Sequence, residues 1–105
     1  MSKISYDRDS GTRYDDYRQF KSAFESEWSS KFSGSEFLVE SQNMGWRNAS
    51  GSGEETINGG GEFLQRLTDG IPDFSLEADF QNGVVFVTLY SHDNPTGASL
   101  EVYEQ

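Results

Sequence analysis

The chain has 105 residues, with 18 Asp and Glu against 8 Lys and Arg, one His and no Cys. That length gives one domain with one modest core, and eight Phe, five Tyr and two Trp supply apolar volume that few aliphatics provide. A net charge of −10 argues against binding nucleic-acid phosphates or an anionic membrane, and the lack of Cys excludes disulfides and thiolate metal sites.

Residues 1–12 are polar and read as an irregular segment. Tyr17, Phe20, Phe24, Trp28 and Phe32 then recur at spacings of 3, 4, 4 and 4, the stripe of an amphipathic helix over about 13–32. Thr12 fits its N-cap, Asp15 and Asp16 suit the positive end of its dipole, and Gly34 suits its C-terminal stop. Glu36 to Gln42 reads as a short strand, with Gly45-Trp46-Arg47 continuing it after a turn. Residues 48–61 are Gly- and Ser-rich and read as a flexible loop.

A second helix is expected over about 61–69, with Phe63, Leu64 and Leu67 on its apolar face and Gly70 and Pro72 ending it. Residues 73–81 alternate apolar and polar, Asn82-Gly83 signals a hairpin with a type I′ turn, and 84–91 returns. A last strand covers about 98–104, with Leu100 and Val102 inward and Glu101 and Tyr103 outward. The order α-β-α-β-β-β gives an α+β domain: an antiparallel sheet of about four strands with two helices packed on one face.

A two-residue turn sets the hairpin register. Phe80 then opposes Val85, Ala78 opposes Val87 and Leu76 opposes Leu89, so one face is apolar and lies under the helices. The other face carries Glu77, Asp79, Phe86, Thr88 and Tyr90, extended by Glu101 and Tyr103. Mixing carboxylates with aromatics on a solvated face fits an interface, and equally fits aromatics that cover a sheet as good strand formers. Charge is uneven as well. Residues 1–66 hold all eight bases against eleven acids, whereas 67–105 hold seven acids and no base. The folded C-terminal part is expected to present a concentrated negative field, which either attracts a basic partner or serves only to keep the protein soluble.

No catalytic motif appears. His92 stands immediately before Asp93-Asn94-Pro95-Thr96-Gly97, which is turn chemistry. No Gly-x-Ser-x-Gly elbow stands between a strand and a helix. Gly59-Gly60-Gly61 opens a helix but lacks the P-loop lysine, and Glu62 follows at once. A non-catalytic protein without cofactor or metal is expected. The longest strictly apolar run, 84–87, is far short of a membrane span, and residues 1–5 have no leader-like apolar core, so a cytoplasmic location is expected.

A small, Cys-free, strongly acidic, aromatic-rich α+β chain with a base-free segment 67–105 resembles phage-encoded inhibitors of host defence, notably anti-CRISPR and DNA-mimic proteins. The likeness lies in size and charge, with no aligned motif, and it carries over no residue role. It implies a host-cell protein that inhibits by binding the basic surface of a nucleic-acid-binding protein, such as a CRISPR effector or a nuclease, and blocking its nucleic-acid site. Immunity proteins against nuclease toxins share the profile, and a small phage structural or ligand-binding domain is the further alternative. The residues expected to carry partner binding are Glu77, Asp79, Phe86, Tyr90, Asp93, Glu101 and Tyr103.

Overall fold

The computed structural model describes residues 2–7, 13–32, 36–42, 52–71 and 73–104. Its elements are β1 (Ser2–Tyr6), α1 (Arg13–Lys31), β2 (Glu36–Gln42), β3 (Ser52–Thr56), α2 (Gly60–Thr68), β4 (Ser75–Gln81), β5 (Val84–Tyr90) and β6 (Ala98–Glu104). The strands form one antiparallel sheet in the order β1-β4-β5-β6-β2-β3. The class is α+β, as the element pattern predicts. β4, β5 and β6 form a meander. The helical connections carry the chain from β1 to β2 and from β3 to β4, and so place β1 and β3 at the two edges.

The aromatic stripe of α1 is what seats it. Phe20, Phe24, Trp28 and Phe32 are all buried, and Tyr17 packs against the same core half-buried. Phe24 lies nearly parallel to Phe63 of α2 at a centroid distance of 6.0 Å and Trp28 stacks on the same ring at 5.5 Å with a 29° tilt, and Phe24 reaches Phe80 of β4 at 5.2 Å. Phe37, Val39, Leu76, Ala78, Phe80, Val85, Val87, Leu100 and Val102 supply the sheet's side of the core. Both helices therefore cover one face, and large rings replace the missing aliphatics by area buried.

Three expectations are corrected. The sheet has six strands in place of about four, because two segments read as irregular are strands at its edges. Ser2–Tyr6, inside the expected irregular 1–12, pairs with β4, and its only pattern is the two-residue alternation of Ile4 and Tyr6 toward the core. Ser52–Thr56, inside the expected flexible loop 48–61, pairs with β2, and Ile57 after it is completely buried. Nothing apolar in Ser-Gly-Glu-Glu-Thr marks that strand; backbone pairing at the edge of an existing sheet makes it. The third correction is the hairpin turn. Gly83 has φ +70°, but Asp73 is the only non-glycine with positive φ among the described residues, so Asn82 does not. A type I′ turn needs both central residues left-handed; glycine alone at the second position is the type II pattern. The pairing Gln81↔Val84 and the rest of the predicted register hold nonetheless. Thr12, Gly34 and the Gly45-Trp46-Arg47 continuation lie outside the described residues.

Candidate functional site

The helix-free face of the sheet collects side chains from five strands. Alternation sends Leu76, Ala78 and Phe80 of β4 into the core and Ser75, Glu77, Asp79 and Gln81 to this face. The same alternation exposes Val84, Phe86, Thr88 and Tyr90 of β5, and Ser99, Glu101 and Tyr103 of β6, all half-buried.

Register turns these positions into rows. Lys3 opposes Asp79, Asp79 opposes Phe86, Phe86 opposes Glu101, and Glu101 opposes Glu40. With strands about 4.8 Å apart, the acids of this row run roughly 14 Å from β4 to β2. A second row holds Ser5, Glu77, Thr88 and Ser99. A third holds Gln81, Val84, Tyr103 and Leu38. Val84, Phe86, Tyr103 and Leu38 thus form an apolar centre bordered by Glu77, Asp79, Glu101 and Glu40.

The electrostatics of the face are unbalanced. Lys3 Nζ lies 3.5 Å from Glu77 Oε1, an exposed pair at the β1 edge. Asp79 Oδ2 accepts a hydrogen bond from Gln81 Nε2 at 3.3 Å. Its Oδ1 is shielded from solvent and has no hydrogen-bond partner among the described residues. Such an oxygen loses hydration without recovering it. Tyr103 donates its hydroxyl proton to Glu101 Oε2. That bond to the carboxylate, followed by desolvation and the negative charges of Glu101 and Glu40, pushes the phenol up to about 12.

Six of the seven residues expected to bind a partner, Glu77, Asp79, Phe86, Tyr90, Glu101 and Tyr103, therefore share one face. Asp93 does not lie in the sheet; it is exposed in the connection between β5 and β6. Leu38, Glu40 and Lys3 belong to the face and escaped the sequence reading. Glu40 is legible only once β2 is known to lie beside β6, a long-range pairing that no local pattern announces.

The other chemical candidates sit apart. His92 Nε2 lies 3.3 Å from Asp73 Oδ2, with the imidazole 69% exposed. Gly60 and Gly61 open α2, and Glu62 Oε2 turns back to accept the Asn58 N–H at 2.7 Å, bringing a carboxylate to the helix N-terminus where a phosphate would sit. Shallow clefts of about 370 and 420 Å³ flank β1. No family model, curated protein or solved structure matches the chain.

Proposed function

We propose that the helix-free face is a docking surface for a basic, nucleic-acid-handling protein, a CRISPR effector or a nuclease, and that the protein inhibits by covering that partner's nucleic-acid site without catalysis. The observation that carries this reading is the row Asp79–Phe86–Glu101–Glu40. It contains two directly opposed carboxylates and a shielded carboxylate oxygen with no donor among the described residues. Both features cost folding free energy. Arginine and lysine side chains of a partner relieve both, because they bring charge and donors to the same atoms. The apolar centre of Phe86, Tyr103, Val84 and Leu38 adds the desolvated contact such pairs need. The base-free stretch 67–105 supplies three of the strands that present the face and leaves Lys3 as its edge cation.

The test uses three baits on a bacterial lysate that contains CRISPR effectors and nucleases: wild type, Glu77→Lys with Asp79→Lys, and Arg18→Glu on the helical layer. The expected result is an effector or nuclease held by wild type and by Arg18→Glu, lost with the double variant, and released at about 1 M salt, where the Debye length is roughly 3 Å. Equal retention by both variants, or capture of partners that bind no nucleic acid, overturns the reading.

A further inference from the structure

We infer that Asn82, at the tip of the β4–β5 hairpin, is a site of spontaneous deamidation that converts the turn to a mixture of aspartate and isoaspartate. This chemistry does not depend on the reading of the open face. Gln81↔Val84 is the last pair of the β4–β5 ladder, so Asn82 and Gly83 stand beyond it as the two turn residues. Both are exposed. Among the described residues, the Asn82 carboxamide and the Gly83 N–H make no hydrogen bond, while the Gly83 carbonyl accepts the Glu104 N–H at 3.5 Å. A Cβ on Gly83 would meet nothing within 4 Å, so the tip has open space around it.

Electrophile and nucleophile are therefore adjacent and free. The Gly83 nitrogen, losing its proton to solvent base, attacks the Asn82 side-chain carbonyl carbon. The new C–N bond closes a five-membered succinimide. The bond to the side-chain nitrogen breaks, and that nitrogen takes up a proton and leaves as ammonia. Water then opens the ring at one of its two carbonyls. Opening at the backbone carbonyl gives isoaspartate, whose chain runs on through the side-chain carbon; opening at the other gives aspartate. The sum is carboxamide plus water to carboxylate plus ammonium, with no change of oxidation state. Glycine as the attacking residue has no Cβ to block the approach, and its backbone is the freest to rotate.

The sequence alone makes Asn58-Gly59 an equal candidate; the fold separates the two. The Asn58 N–H donates to Glu62 Oε2 at 2.7 Å, and the Gly59 carbonyl accepts the Phe63 N–H at 3.2 Å. Completely buried Ile57 and buried Gly60 flank the pair. Ring closure there must turn a backbone held on both sides and open the first turn of α2. Asn94 precedes Pro95, which has no N–H to give up. At position 82 the product adds one carboxylate to a chain of −10, in a cleft of about 340 Å³ lined by Lys31, Phe80, Gln81 and Asn82. Isoaspartate also adds one methylene to the backbone of a two-residue turn, where loop length sets register.

The test incubates the folded full-length protein in mildly alkaline buffer beside the same protein unfolded in guanidinium chloride. Peptide mass spectrometry follows the conversion at each asparagine, and methylation by an isoaspartyl methyltransferase counts the isoaspartate. In the folded protein Asn82 should convert about tenfold faster than Asn58, a gap set by the local opening that Asn58 needs. Unfolding should close that gap. Asn82→Gln, which cannot form the five-membered ring, should remove most of the isoaspartate. Equal rates at the two sites in the folded protein, or an Asn58 that converts first, overturn the inference. So does a gap that persists on unfolding, an Asn82 that stays intact while the unfolded protein converts, or isoaspartate at the wild-type level in Asn82→Gln.

Discussion

Glu101 of β6 and Glu40 of β2 stand directly opposite each other on the face that no helix covers. Opposed like charges weaken a sheet pair by roughly 0.2–1 kcal/mol, and among the described residues Tyr103 offsets the repulsion by donating to Glu101. The pairing is a local conflict inside an otherwise consistent fold, and conflicts of that kind concentrate where function requires them.

Removing one of the two charges should therefore stabilise the protein. Glu40→Gln keeps the side-chain size and the Tyr103–Glu101 bond. Its urea midpoint should rise, with a gain of about 0.2–1 kcal/mol and an unchanged denaturant slope. The gain should shrink in high salt. Asp93→Asn makes the same change of net charge on an exposed connection away from the opposed pair; it separates pair repulsion from overall self-repulsion by gaining less.

The Tyr103 phenol gives a spectroscopic handle on the same cluster. Its pKa stands at about 12 against an ordinary value of 10.0, chiefly through the hydrogen bond to Glu101. A raised folded-state pKa means that the protonated phenol favours the fold. That contribution is complete below pH 10 and is lost as pH climbs through about 12. In an absorbance titration of phenolate, Glu101→Gln should bring this one tyrosine back toward its ordinary range and flatten the stability loss between those pH values. An unchanged titration means the bond does not set the shift.

How much of this was readable beforehand follows from how local each signal is. Phe20, Phe24, Trp28 and Phe32 announced α1 because a helix writes its buried face at a fixed spacing. Asn82-Gly83 announced the β4–β5 hairpin, and alternation on both sides set its register, even though the turn is not of the expected kind. That register already joined Glu77, Asp79, Phe86 and Tyr90 on one face. The edge strands were silent for opposite reasons. β1 is too short for its Ile4–Tyr6 alternation to stand out, and β3 has no apolar residue at all. Glu40 and Leu38 joined the face through the non-local pairing of β2 with β6, which sequence periodicity does not encode.

Tyr90 owes its position to a glycine. Gly97 has φ +89°, and a Cβ there would come within 2.6 Å of Tyr90 Cε1 and 3.3 Å of Thr88 Cγ2. Gly97→Ala should destabilise by about 1–3 kcal/mol, combining left-handed strain with that collision. Adding Tyr90→Ala removes only the collision, so the double variant should lose less than the sum of the single changes. Strict additivity in denaturant unfolding means the two residues do not touch.

The start of α2 separates propensity from packing within two adjacent residues. Alanine is the better helix former by roughly 0.8–1.0 kcal/mol at an interior position, and that figure is an upper bound shared by Gly60 and Gly61, the first two residues of α2. Their surroundings differ. A Cβ on Gly60 would lie 2.9 Å from Phe24 Cδ1 and 3.2 Å from Trp28 Cβ, inside the buried α1–α2 contact. A Cβ on Gly61 would meet Glu25 Oε1 at 2.7 Å, the far end of an exposed, flexible side chain that can swing away. Gly60→Ala should thus destabilise by about 1–3 kcal/mol through overpacking, despite its better propensity. Gly61→Ala should be neutral or stabilising by up to about 1 kcal/mol. Thermal unfolding of the two variants side by side checks the pair, and a stabilised Gly60→Ala means the helices have room to separate at Phe24.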